Sequence, residues 1–232
     1  MSNLPKHIAL IPDGNRRWAR QKNLPVFMGH QKGVLAFEKI LEKALELQIT
    51  YFTFWGSSMD NIIKRSKTEV NYLFKIFEQQ FTRFLQDKRV SQNQVKVQIF
   101  GRWREMFPQS TVKPMEDVIL KTKLYNKYYL TFLMAYNGTD EMIECIKKIQ
   151  ESKKNVTEKT IKENLWTKDL PPVDLIIRTG TDGDPHLSAG FMMWDAAYSQ
   201  LEFSSIYFPA FTPKEFEKIV LNYVNRQRRK GS

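Results

Sequence analysis

Six short runs rich in β-branched and aromatic residues alternate with helical patterns along the chain, and this alternation constrains the fold most strongly. The runs are HIALI at 7–11, TYFTFWG at 50–56, VKVQIFG at 95–101, YYLTFLMAY at 128–136, VDLIIRT at 173–179 and SSIYF at 204–208. The pattern predicts an α/β protein: a central, mostly parallel six-stranded sheet flanked by helices, forming one domain over 1–232.

Between the runs, apolar residues recur with helical period. Residues 31–47 place Val34, Phe37, Ile40, Leu41, Ala44 and Leu45 on one face, and 68–89 places Val70, Leu73, Phe74, Phe77, Phe81, Phe84 and Leu85 on another. Thr212, Pro213 and Glu215 have the spacing of a capping box with proline at the first helical position, predicting a final helix that runs towards Arg229. SKKNVTEK at 152–159 reads as a loop between helices. The single cysteine, Cys145, falls in a helical pattern as a packing residue, excludes an internal disulfide and fits a reducing cytoplasm.

Thirty-six basic against 25 acidic side chains give a formal charge of +11, which suits nucleic acid, an anionic membrane surface or phosphorylated small molecules. No run approaches the length of a membrane span, and the opening MSNLPKHIALIPDGN has too short an apolar stretch for a signal peptide, so a soluble or peripheral protein is expected.

The densest chemical signal is PDGNRRW at 12–18, directly after the first strand and before a helix. That is the carboxyl edge of the sheet, where open α/β proteins bind ligands. A Gly-Asn turn with Arg16, Arg17 and Arg20 suits a diphosphate. Asp13 conflicts with such an anion unless a hard cation such as Mg2+, shared between carboxylate, phosphate oxygens and water, lies between them. Taken alone, Asp-Gly is an ordinary turn before a solvated, arginine-rich helix.

The string HIALIPDGNRRW at 7–18 resembles the opening signature of the cis-prenyltransferases, and the similarity continues along nearly the whole chain. The resemblance implies an enzyme that condenses isopentenyl diphosphate with an allylic prenyl diphosphate, farnesyl or geranyl, to make a cis-polyprenyl diphosphate. It implies Asp13 as the catalytic carboxylate at the magnesium, with Gly14, Asn15, Arg16, Arg17, Trp18 and His30 around the allylic diphosphate. FWGSSMDNIIKRSKTEV at 54–70 resembles the family's next loop, which adds Ser58, Asn61 as a catalytic residue, and Arg65. VDLIIRTGTDGDPHLSAGFMMWDAAYSQLEF at 173–203 resembles the segment that holds isopentenyl diphosphate, through Arg178 and Ser188.

This chain departs from the family pattern at several of these places. Val26 stands where the family has an arginine, His186 replaces a second arginine, and Gln200 aligns with a glutamate associated with the metal. Arg229 and Gly231 resemble the family's C-terminal ending, which reaches the partner's isopentenyl diphosphate across a homodimer. The resemblance further implies an apolar tunnel for the growing chain. Its predicted walls are Phe74, Phe77, Phe81, Phe84, Leu133 and Ala135, with room left at Gly56. A phenylalanine stripe at this spacing is otherwise ordinary core.

A long, insoluble product and a basic surface would bring a cytoplasmic enzyme into peripheral contact with membrane. Three alternatives remain at this level: a basic nucleic-acid-binding protein, a non-catalytic subunit supporting another chain, and a short-chain or irregular synthase using dimethylallyl diphosphate. No nucleic-acid motif is present, and the intact Asp-Gly-Asn loop speaks against a non-catalytic subunit.

Overall fold

The computed structural model describes residues 4–225. In chain order the elements are β1 His7–Ile11, α1 Asn15–Gln21, α2 Val26–Glu46, β2 Tyr51–Trp55, α3 Met59–Lys64, α4 Lys67–Gln86, α5 Lys88–Gln92, β3 Val95–Phe100, α6 Trp103–Met106 and α7 Gln109–Thr122. They continue with β4 Tyr128–Leu133, α8 Gly138–Ser152, α9 Glu158–Asn164, β5 Leu175–Arg178, β6 Gln200–Phe203, a short 3-10 turn Phe208–Ala210 and α10 Pro213–Val224. The six strands form one sheet in the order β3-β4-β2-β1-β5-β6. Every pairing is parallel.

A parallel sheet covered on both faces needs strands that are apolar on both faces, as β1 and β5 are. Successive residues of a strand point to opposite faces. Ile8, Leu10, Leu175 and Ile177 therefore join Phe37, Ile40 and Phe216 in the larger core, while Ala9, Ile11 and Ile176 pack with Leu170, Val173 and Phe191 on the other side. Cys145 is buried beside Ile149 and Leu165. The Thr212 capping box forms as predicted, with Pro213 in the first turn. Residues 153–157 form the predicted connection between α8 and α9.

The sixth strand differs from the sequence expectation. It is Gln200–Phe203, paired with Leu175–Arg178, and SSIYF at 204–208 is not a strand. The chain turns there because Gly180 N donates to Ile206 O at 2.9 Å and Phe208 N donates to Asp13 O at 3.0 Å. These bonds fold Tyr207 and Phe208 back over the end of β1.

Candidate active site

The strand order reverses at β1: β2, β4 and β3 lie on one side of it, β5 and β6 on the other. In open parallel sheets the crevice outside the carboxyl ends at such a reversal binds ligands. Asp13, just past β1, and Arg178, the last residue of β5, meet there.

Arg178 Nη2 donates to Asp13 Oδ2 at 2.9 Å, and its Nη1 donates to Ser188 Oγ at 2.8 Å and to the His186 carbonyl at 2.6 Å. The other Asp13 oxygen accepts from Gly14 N at 2.6 Å and lies 3.3 Å from Arg17 Nη2. Asp13 is held in place by its own backbone, since its N–H donates to Thr179 Oγ1 at 3.0 Å. Arg17 also donates to the Gly180 carbonyl and lies over the Tyr207 ring. Gly14 has φ 98°, and a Cβ there would stand 2.5 Å from Tyr207, so backbone angle and packing both demand glycine.

A second cluster forms on α1, α2 and α4. Glu69 Oε1 lies 3.1 Å from His30 Nε2, 3.2 Å from Arg65 Nη1 and 3.8 Å from Arg16 Nε. Burial lowers the pKa of His30, while the hydrogen bond to Glu69 opposes that shift. Burial likewise lowers Arg65, with Glu69 as the largest opposing influence. His30 reaches this position because Gly29 lets α2 approach α1: a Cβ on Gly29 would lie 2.1 Å from the Asn15 carbonyl. Ser58 and Asn61 cap α3 reciprocally, which fixes both at the mouth.

These groups open on a cavity of about 450 Å³ lined by Asp13, Gly14, Asn15, Arg16, Arg17, Arg20, His30, Ser58, Asn61, Arg65, Arg178 and Ser188. Its inner wall is apolar, formed by Phe37, Phe54, Phe77, Phe81, Phe84, Phe132 and Met134. The wall includes five arginines against one carboxylate, Asp13. Arg16 Nε and Arg178 Nε are buried without a hydrogen-bond partner among the described residues. Two buried guanidinium donors left open beside a cationic cavity call for an anionic ligand.

Several predicted site residues lie elsewhere. Trp18, on α1, does not line the cavity, and neither does His186, whose ring faces Ser188 Oγ at 3.2 Å and the Asp184 carboxylate at 3.2 Å. Phe74 packs on Phe107 instead of the cavity. Leu133 belongs to the opposite face of the sheet and Ala135 to the core, so Phe132 and, just past β4, Met134 supply this part of the wall. Gly56 does line the cavity, packed against Met134, whose Sδ would lie 2.4 Å from an added Cβ. Val26 begins α2 and is not a lining residue. Arg229 and Gly231 lie outside the described residues.

Gln200 pairs with Leu175, whereas the Asp13 corner is level with Arg178. Three residues of strand separate them, roughly 10 Å. Within one chain Gln200 therefore cannot share a metal with Asp13. No group of three or more His, Cys, Asp or Glu suited to a metal occurs among the described residues. The lone carboxylate fits an ion such as Mg2+ that is shared with phosphate oxygens and water, and does not fit an all-protein cage.

Glu69 and Thr179 are among the site residues that the sequence did not single out. The spacing of Arg65 and Glu69, one helical turn apart, carried a signal for the first.

The prenyltransferase family described as undecaprenyl diphosphate synthase matches residues 11–231. A Pyrococcus horikoshii protein named tritrans,polycis-undecaprenyl-diphosphate synthase (geranylgeranyl-diphosphate specific) is 37% identical, over 98% of this chain and 87% of its own length. A Thermotoga maritima isoprenyl transferase is 36% identical, over 98% of this chain and 97% of its own. The fold superposes with a TM-score of 0.91 on lavandulyl diphosphate synthase from Lavandula x intermedia in complex with dimethylallyl diphosphate, at 26% identity and 100% coverage of both chains.

Proposed function

The chain belongs to the undecaprenyl diphosphate synthase family and is a cis-prenyltransferase, and from this premise we propose that it lengthens farnesyl or geranyl diphosphate with isopentenyl diphosphate to a cis-polyprenyl diphosphate. Geranylgeranyl diphosphate is a further candidate primer, on the printed name of the archaeal relative. The observation that carries the reading is one cavity with arginines and Asp13 at its mouth and phenylalanines along its inner wall. An allylic diphosphate needs both ends of such a space.

In this reading Arg16, Arg17, Arg65 and His30, with the Gly14-Asn15 turn, hold the allylic diphosphate, and Ser58 fixes the loop beside it. Arg178 and Ser188 hold isopentenyl diphosphate on the other side of Asp13, with His186 steadying Ser188. Asp13 would hold Mg2+ together with the diphosphate. Bound there, the ion would neutralise charge on the leaving group.

The allylic carbon–oxygen bond breaks with its electron pair leaving on the diphosphate, and Arg17 stabilises that developing charge in a preformed geometry. The double bond of isopentenyl diphosphate attacks the allylic carbon, and a proton is then lost to restore a double bond. Both Asp13 oxygens already accept hydrogen bonds. The departing diphosphate is therefore the better proton acceptor, with Asn61 placed to orient it. The prenyl chain extends towards Phe81 and Phe84. Arg229 and Gly231 complete the isopentenyl site from a second copy in a homodimer.

A second reading, an irregular or short-chain product from dimethylallyl diphosphate, draws support from the likeness to lavandulyl diphosphate synthase. The phenylalanines along the inner wall favour the longer primer. Mass spectrometry of products formed with Mg2+, isopentenyl diphosphate and each allylic diphosphate in turn tests both. Elongation of farnesyl or geranyl diphosphate supports the first reading; a product from dimethylallyl diphosphate alone overturns it.

A further inference from the structure

A second, smaller cavity of about 100 Å³ neighbours the first, and Gln80 and Phe84 line both. Its outer wall is made by Asp87, Val90, Val95, Tyr128 and Tyr129, at the end of the sheet opposite the arginines. The surface around this end is basic. No carboxylate occurs between 118 and 132, where Lys121, Lys123 and Lys127 lie, and none between 88 and 104, where Lys88, Arg89 and Lys96 lie.

The acidic groups at the rim are paired. Glu38 holds Arg83 at 2.8 Å, Asp87 holds Arg89 at 2.7 Å, and Arg89 also reaches Glu42. Lys88, Lys123 and Lys127 have no carboxylate partner among the described residues, and all three are exposed. Among them stand two leucines at the end of α7, Leu120 at 62% exposure and Leu124 at 82%. This segment is tied to the cavity wall: Lys121 Nζ donates to the Leu85 carbonyl, and Lys127 N and Tyr128 N donate to Gln94 O at 3.3 and 3.4 Å.

Exposed leucine flanked by lysine without a carboxylate partner is the chemistry of an interfacial anchor on anionic lipid, since the alkyl groups enter the headgroup boundary while the ammonium groups meet phosphate. Nucleic acid would match the lysines and leave Leu120 and Leu124 in water. We propose that this end of the molecule docks on an anionic lipid bilayer, so that the second cavity faces the membrane that receives the chain. The proposal rests on the reading of the product as a polyprenyl diphosphate and adds where the lipid leaves.

The test is co-sedimentation of the full-length chain with phosphatidylcholine vesicles, with and without phosphatidylglycerol, for the parent and for a Lys123→Glu, Leu124→Glu, Lys127→Glu variant. Both proteins keep the basic C-terminal tail, so binding through it appears equally in each. The parent is expected to bind only the anionic vesicles, more weakly as salt rises, and the variant to bind at least about tenfold more weakly. Its condensation of short primers in detergent stays unchanged. Equal binding by parent and variant, no binding by the parent, or a preference for mixed-sequence duplex nucleic acid over vesicles would overturn the proposal. Turnover is read separately, so loss of the enzymatic reading is distinguishable from loss of the docking surface.

Discussion

Arg178 and Asp13, 165 residues apart in sequence, are joined by a 2.9 Å hydrogen bond at the ends of two neighbouring strands. The same guanidinium reaches Ser188, while the same carboxylate faces Arg17. Asp13 therefore stands between Arg178 and Arg17, and in the proposed reading between two anion sites.

Arg178→Lys should separate those sites. Lysine keeps the charge but cannot bridge Asp13, Ser188 and the His186 carbonyl at once. Steady-state kinetics should show the KM for isopentenyl diphosphate raised about 10- to 100-fold, with the KM for the allylic substrate within a factor of about two. An equal rise in both would remove the division of roles.

Glu69→Gln should act on the other side. The variant leaves His30, Arg16 and Arg65 without the carboxylate around which they gather. A charge-assisted contact contributes about 1.5–3 kcal/mol, so the KM for the allylic diphosphate should change by at least about tenfold while that for isopentenyl diphosphate holds. Unchanged allylic kinetics would make Glu69 a structural residue only.

Gly138→Ala should disturb the segment that carries Ser188. A Cβ there would stand 1.8 Å from the Gly190 carbonyl, backbone that has little freedom to yield. Gly138 N also donates to Ala189 O at 2.9 Å. Overpacking of this kind costs about 1–3 kcal/mol, read as a lower urea midpoint together with a raised KM for isopentenyl diphosphate. A variant with parental stability and kinetics would contradict the packing described.

Stability should fall on the acid side through His7. Its Nδ1 donates to the Pro171 carbonyl at 2.8 Å, so Nε2 accepts from Thr53 Oγ1 at 2.8 Å and the ring is neutral. Burial is the largest influence and lowers its pKa from 6.5 to about 4. The unfolded chain takes the proton first as pH falls. Stability is thus complete above pH 6.5, is lost between pH 6.5 and about 4, and changes no further below that. The loss amounts to about 3 kcal/mol. Burial raises Glu141 and Asp195, which act in the opposite sense, so the comparison with His7→Gln isolates the histidine. The variant's urea midpoint should vary less between pH 7 and pH 4; an identical slope would contradict the assignment.

Five of the six strands were legible: four lie inside the sheet, where apolar runs such as LIIR and HIALI have few other places to go, and the fifth, the edge strand VKVQIF, shows the alternation of a half-buried strand. QLEF was not. It is a four-residue edge strand with one neighbour and mixed polarity, and the more strand-like SSIYF is drawn into a turn by Asp13 and Gly180. The mouth of the site was readable from PDGNRRW because strand, turn and helix are contiguous there. Glu69 was hidden because its partners converge from three helices. The apolar wall of the cavity lies one residue off the expectation at β4: a strand alternates its side chains between faces, and the sequence did not tell which of Phe132 and Leu133 faces α4.

In the proposed reaction the carboxylate just past β1 takes part in the departure of the allylic diphosphate. The direct measurement is single-turnover condensation by Asp13→Ala with saturating Mg2+, isopentenyl diphosphate and farnesyl diphosphate, beside its circular dichroism spectrum and urea midpoint. The variant is expected to fold, with a rate at least about a thousandfold below the parent's. A folded variant with a near-parental rate would contradict it.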